Sequence, residues 1–354
     1  MPNNSILVIH LAGIGDLLMG RLALERLRQT YPHGEIVLLT WSHNLEAAGL
    51  IPSISKFAGL KLGSGLADIN HNLELTAQLR KERFDLAINC YQVYRQWGVI
   101  KLALLLSRIG ARKTAGRDTD GKGWCFNQRI RERSSDLLHE VDRQSRFVEQ
   151  LGCRAVPGPA PLSITIQDQQ AADLWLTQQA ISPQTAFVAI HPGGSRIGHR
   201  WPAASFAQVA ASLAAQGLRI VVTGGKSEEA LAQSVAGKTG AAVSAAGKLS
   251  FGQLAHLLRR SRCFLSNDSG PMHLASALNV PLVAVFGPGD PQRYGPYPLD
   301  REDQVVIHAA SDALCFNSKC PGHACLQNLS PQPVLEAVQS VIAGKHPSGI
   351  QRIL

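Results

Sequence analysis

At 354 residues the chain exceeds what one hydrophobic core usually supports, so two domains are the default expectation. Apolar residues make up 45% of it, and Lys plus Arg outnumber Asp plus Glu by 35 to 26. The resulting net charge of +9 favours anionic partners such as a nucleotide, a phosphorylated lipid or a membrane surface. Nucleic acid fits poorly, because aromatic content is only 6% and no base-stacking module is recognisable. The best apolar run, Leu102–Leu106, is bracketed by Lys101 and Arg108 and falls short of the roughly 18 residues of a membrane span. With no basic leader, and with His10 and Asp16 interrupting the first apolar segment, the N-terminus does not read as a signal peptide. A cytoplasmic location is therefore expected, and seven cysteines, an odd number, suit reduced thiols.

Ile6–Leu11 reads as a buried strand broken only by His10, Ala12–Asp16 as a turn, and Leu17–Thr30 as a helix. Gly13 and Gly15 in that turn lack the third glycine of a dinucleotide-binding fingerprint, and Asp16 suits either a helix cap or a reactive carboxylate. Strands are predicted over Glu35–Thr40, Lys56–Leu62 and Phe84–Cys90, with an amphipathic segment over Leu66–Glu82. Such alternation implies a parallel sheet whose ligands gather at the strand C-terminal ends. Between Arg108 and Arg133 the chain is rich in Arg and Lys, which fits either a solvated loop or a surface for an anionic partner. A helix follows over Leu138–Gly152, and Pro157, Pro159 and Pro161 mark the boundary between a first domain, 1–165, and a second, 166–330.

The second half restarts the pattern. A helix over Gln167–Ala180 precedes a strand over Ala186–His191, the small-residue turn His191–Arg196 and the segment His199–Pro202. Next come a helix over Ser205–Gln216, a strand over Arg219–Thr223 and a helix over Glu228–Thr239. Gly224–Ser227 resembles a phosphate-binding P-loop only superficially, since Ile220 stands where that motif requires glycine. Cys263–Leu265 closes a buried strand, Asn267–Gly270 forms a polar turn, and Pro271–Leu278 is helical with proline in its first turn. Strand, turn and helix N-terminus converge there on a point suited to a phosphate, beside Asp268, Ser269, Gly270 and His273. Cys315, Cys320, His323 and Cys325 have ligand chemistry for zinc, but lack the usual Cys-x2-Cys pair, so reduced cysteines and no metal are expected.

Several of these segments in order resemble one family. Gly13–Leu18, His139-Glu140-Val141, His191-Pro192-Gly193, Arg200-Trp201-Pro202, Gly224-Gly225 and the long stretch Asn267–Phe286, followed by Gly287-Pro288-Gly289-Asp290-Pro291, are similar to the motifs of the heptosyltransferases, glycosyltransferase family nine. The resemblance implies an α/β fold of the GT-B type, two Rossmann-like domains facing a central cleft, with a C-terminal helix in 331–354 crossing back to the first domain. It also implies an inverting, metal-independent glycosyltransferase that moves a heptose from ADP-heptose to the anionic lipopolysaccharide inner core at the cytoplasmic face of the bacterial inner membrane, with no cofactor. Asp16 matches the catalytic base in its turn of Gly13 and Gly15. Donor contacts map to Gly194, Ser195, Arg196, His199, Arg200, Glu229, Asp268, Ser269, Gly270 and His273. One position departs: His199 stands where the family usually has lysine, so that either Arg196 or Arg200 shares the phosphate role or donor affinity depends on pH. A transferase for another nucleotide sugar or glycan, and a nucleotide-sugar binding protein without turnover, remain the rival expectations.

Overall fold

The computed structural model describes residues 5–237, 240–309, 324–345 and 349–352. They form two compact units, Met1–Ser163 and Ile164–Leu354.

In the first unit the elements are β1 (Ser5–His10), α1 (Ile14–Met19), α2 (Arg21–Thr30), β2 (Glu35–Trp41), α3 (Leu45–Ala48) and β3 (Lys56–Leu60). They continue with α4 (Leu66–Lys81), β4 (Leu86–Asn89), α5 (Gln96–Ile109), β5 (Lys113–Thr119), β6 (Gln128–Glu132) and α6 (Glu140–Gln150). All six strands are parallel, in the order β3-β2-β1-β4-β5-β6. A central parallel strand is covered on both faces, which is why β1 is an almost unbroken apolar run. Leu7, Ile9, Val37, Leu39, Ala87 and Phe84 join Leu102, Leu106 and Phe126 in one core.

The expected helix Leu17–Thr30 is two helices that meet at Gly20. The basic stretch also differs from a plain loop: it supplies β5 and β6, with Arg117 only 1% exposed. Arg117 donates to Glu132 at 2.9 Å, to the Cys90 carbonyl at 3.1 Å and to Glu140. Periodicity could not show this, because a buried arginine on a strand is signalled only by the carboxylates that meet it in space.

The second unit comprises α7 (Ile166–Gln178), β7 (Phe187–His191), α8 (Ala203–Ala215), β8 (Arg219–Val222), α9 (Glu229–Ala236), β9 (Ala242–Ser244), α10 (Phe251–Arg260) and β10 (Cys263–Asn267). It ends with α11 (Gly270–Ala277), β11 (Leu282–Phe286), α12 (Pro291–Tyr294), β12 (Gln304–His308), α13 (Ala324–Asn328), α14 (Pro331–Ile342) and β13 (Gly349–Arg352). Its seven parallel strands run β13-β12-β11-β10-β7-β8-β9. Taken from β9 inward, the first six strands repeat the order of the first sheet. Each sheet thus has a point where the strand order reverses, between β1 and β4 and between β7 and β10. Ligands of such sheets bind beyond the strand C-termini at that point.

The C-terminal segment departs from expectation. Helix α14 packs against α8 and strands β10 to β12 of its own unit, and Val334, Ala337, Val338 and Val341 are buried in that core. β13 then pairs with β12, so the described end of the chain completes the second sheet. An apolar face of four such residues stabilises by several kcal/mol wherever it docks, and the second sheet offers an apolar face to receive it. No helix among the described residues is long and apolar enough to cross a membrane.

Candidate functional site

In the first unit the chain leaves β1 at its C-terminal end and enters α1 through Leu11, Ala12 and Gly13. Asp16 sits in the first turn of α1, where its Oδ2 accepts the Gly13 N–H at 3.1 Å. The cap read from the sequence is therefore formed, and it holds the carboxylate at the strand end. A second element steadies this turn from below. His139 begins α6, its Nδ1 accepting the Val141 N–H at 3.2 Å; Glu140 pairs with Arg117; and the Gln144 side chain reaches the Asp16 carbonyl at 3.5 Å. The His-Glu-Val segment is thus an anchor that seats α6 beneath α1.

His10, the last residue of β1, is 2% exposed and lies against the Tyr91 ring, with centroids 5.7 Å apart. Burial, with the Arg117 charge adding to it, lowers its pKa to about 4, so the imidazole is neutral near pH 7.

In the second unit two loops meet at the switch point, His191–Trp201 after β7 and Asp268–Ser269 after β10. Asn267, fully buried, joins them: its amide donates to the Pro192 carbonyl at 2.9 Å and the Gly193 carbonyl at 3.1 Å, and its Oδ1 accepts the Trp201 N–H at 2.9 Å. The Trp201 indole donates to the Leu329 carbonyl at 3.0 Å and packs edge-on against Phe206, so this tryptophan anchors the loop in the core. His199 Nδ1 lies 3.1 Å from Asp268 Oδ2. Ser269 caps α11 through the Met272 N–H at 3.4 Å and lies 2.9 Å from Ser266 Oγ. Gly270 opens that helix and His273 is buried on it.

Three of the expected donor residues have partners within the protein. Arg200 turns inward: its Nε donates to the Gly194 carbonyl at 2.8 Å and its guanidinium lies 3.7 Å from Glu228. The Gly194 N–H, expected to face a phosphate, donates instead to Glu228 Oε1 at 2.9 Å, while Gly225 N–H binds Oε2 at 2.9 Å. Glu229, the acid assigned to the donor, lies over Gly247, with its Oε1 only 2.3 Å from where a Cβ would stand. Glu228 therefore faces the loop after β7, and Glu229 faces Gly247. Two adjacent carboxylates in a turn look alike in a sequence; the short 3₁₀ turn Lys226–Glu228 decides which one points toward β7. Glycines make the approach possible, since a Cβ on Gly193 would lie 2.1 Å from the Glu228 carboxylate, and Gly194 has φ +151°, which side chains disfavour. Burial pushes the Glu228 pKa up, but His191, the two N–H donors and Arg200 outweigh it and hold the acid below its ordinary range. Burial lowers the neighbouring His191.

Ser195 and Arg196 are exposed at the tip of this loop. Gly13 is exposed, and Gly15 and Asp16 are half-buried. Cys315, Cys320 and His323 lie outside the described residues; Cys325 is half-buried near the start of α13.

Paired Rossmann-like units, each carrying polar loops at its switch point, make up a fold of the GT-B type. A model of glycosyltransferase family 9 (heptosyltransferase) matches residues 72–325, well over half of the sequence, and the chain belongs to that family. It is 25% identical over 360 residues to lipooligosaccharide heptosyltransferase 2 of Haemophilus ducreyi, covering 96% of this chain and 99% of that relative. Its fold is similar to the crystal structure of a family 9 glycosyltransferase from Veillonella parvula, with TM-score 0.83, 22% identity, and 97% and 98% of the two chains covered. It is also similar to that of the E. coli ADP-heptose LPS heptosyltransferase II, with TM-score 0.75, 20% identity, and 96% and 98% covered.

Proposed function

We propose that this transferase moves a heptose from ADP-heptose to the inner core of lipopolysaccharide, with inversion and without a metal, at the cytoplasmic face of the inner membrane, which it contacts peripherally. The observation that carries the reading is Asp16, held by the Gly13 N–H at the mouth of β1 in a chain of this family. Its carboxylate takes the proton of the acceptor hydroxyl as that oxygen attacks the anomeric carbon. The bond from that carbon to the phosphate oxygen breaks on the opposite face, and ADP leaves with the electron pair. A base so placed supplies roughly 10² to 10⁴ in rate.

In the second unit, Glu228 is the group suited to accept from the donor's ribose, and the departing pyrophosphate is met by the Ser195 N–H, His199, Arg196 and the N-terminal end of α11. Asp268, half-buried beside His199, is placed to accept from sugar hydroxyls. Arg200 shapes the loop from within, so His199 and Arg196 inherit the role of the missing lysine. In the first unit, exposed Arg129, Arg131 and Arg133 suit the acceptor's phosphates, whereas buried Arg117 does not.

The test is transfer from ADP-heptose, against UDP- and GDP-sugars, to heptose-deficient lipopolysaccharide with and without EDTA. Turnover with ADP-heptose alone, resistant to chelator, is expected. Asp16→Ala is expected to lower turnover by roughly 10² to 10⁴ while ADP-heptose still binds. Undiminished turnover in that variant overturns the mechanism, and turnover only with another nucleotide sugar overturns the donor.

A further inference from the structure

The first unit exposes an apolar surface that carries none of the residues assigned above to transfer. Helix α5 buries Val99, Leu102, Leu106 and Ile109, yet its outer face carries Trp97, 74% exposed, Leu104, 63% exposed, and Ile100. These stand at spacings of three and four residues, so they form one stripe, with Lys101 and Arg108 beside them. Helix α4 lies alongside: Arg80 donates to the Arg108 carbonyl at 3.0 Å and Arg108 to Thr76 Oγ1 at 3.2 Å. Its outer face adds Leu66, 80% exposed, Ile69 and Leu73. Trp124 extends the surface at the start of α5, where its indole reaches Gln96 at 3.4 Å. Elsewhere single exposed apolar residues need no explanation, but apolar stripes on two adjacent helices do.

Charge indicates what covers it. From Leu86 to Arg117 the sequence has six Lys and Arg and no Asp or Glu. Arg117 is buried and Arg112 pairs with Asp85, which leaves Lys113 at the start of β5 and Arg95, Lys101 and Arg108 on or beside α5. On α4, Asp68 is paired with Lys61 at 3.6 Å, and Glu74 is offset by Arg80 and Lys81. An apolar stripe with tryptophan and flanking cations suits the interface of an anionic bilayer, where indole rings sit at the headgroup level and cations meet lipid phosphates. At about 1.5 Å per residue, α5 is about 21 Å long and lies along such a surface instead of crossing it.

We infer that the outer faces of α4 and α5 dock the first unit onto an anionic lipid surface, through Trp97, Ile100, Leu104, Leu66 and Ile69 and the cations Lys101 and Arg95. This rests on the membrane contact proposed above and gives it a location. The experiment is co-sedimentation of the full chain with vesicles of phosphatidylglycerol and phosphatidylcholine, or of phosphatidylcholine alone, at low and high salt, with analytical ultracentrifugation in the absence of lipid. Binding is expected to the anionic vesicles, weakening as salt rises. Trp97→Ser with Leu104→Ser is expected to lower the partition coefficient by about tenfold or more, and Lys101→Ala by about fivefold, with unchanged melting because these side chains are exposed. Ile166→Ser with Leu174→Ser, on α7, is the matched control and is expected to bind like the parent.

Equal binding to neutral vesicles overturns the inference, as does indifference to the Trp97 and Leu104 changes. So does a lipid-free dimer that those changes dissolve, for the face is then a contact between two copies. Turnover on a delipidated core acceptor separates the two readings. Vesicle binding without turnover overturns the transferase reading alone, and turnover without vesicle binding overturns the docking alone.

Discussion

Replacing Arg117 with methionine tests whether the charge pairs beneath α1 hold the first unit together. Arg117 is flanked by Glu132 and Glu140, whose side chains are 14% and 0% exposed, and it also donates to the Cys90 carbonyl. Methionine matches much of the volume but leaves Glu140 buried, with Arg143 still 3.9 Å away. Breaking one side of such a pair costs about 3–5 kcal/mol, because the orphaned charge stays out of water. For a unit of this size each kcal/mol moves the melting point by about 2–4 °C, which puts the loss between about 6 and 20 °C. Calorimetric melting of the parent, Arg117→Met, Glu140→Leu and the double variant measures it. The double variant is expected to be more stable than Arg117→Met, since both charges have gone. A single variant within 1 °C of the parent, or a double variant as unstable as the sum of the two singles, would refute the reasoning.

Acid destabilisation gives a second check. The folded pKa of His10 is lowered to about 4, below the ordinary 6.5, so the unfolded chain takes up the proton first and stability falls as pH drops from 6.5 toward 4. At the lower end the loss from this group is about 3 kcal/mol, and His10→Leu is expected to flatten that part of the stability profile; superimposable slopes would exclude it. The two acids of the 224–229 turn separate cleanly by kinetics. Glu228→Gln weakens contacts to Gly194 and Arg200 and is expected to raise the KM for ADP-heptose by roughly 10-fold or more, whereas Glu229→Gln, seated over Gly247, leaves it within about twofold. A larger effect at Glu229 would return the donor role to that residue.

Much of the fold was legible along the chain because it rests on local chemistry. Continuous apolar runs such as Ile6–Ile9 and Leu282–Phe286 can be buried only in a covered parallel sheet, and small-residue turns with a capping serine at Ser269 mark where helices begin. Asp16, Asp268 and the His191–Pro202 segment stood out for the same reason: strand, turn and helix follow one another within a few residues.

What the sequence could not reveal depends on partners far along the chain. Arg117 and Arg131 sit in one basic stretch, yet one is buried because Glu132 and Glu140 close over it and the other is exposed on a strand at the sheet edge. Glu228 and Glu229 differ by a single position, and only the turn's geometry sends the first to Gly194 and the second to Gly247. The apolar residues of α14 indicated a docked helix, while the choice of the second sheet as its dock came from the packing itself. Local patterns thus determined the elements and the loops that carry chemistry. Tertiary structure decided which charges are spent on holding the protein together and which remain for a ligand, because a side chain's neighbours in space, and not those in sequence, set its burial and its partners.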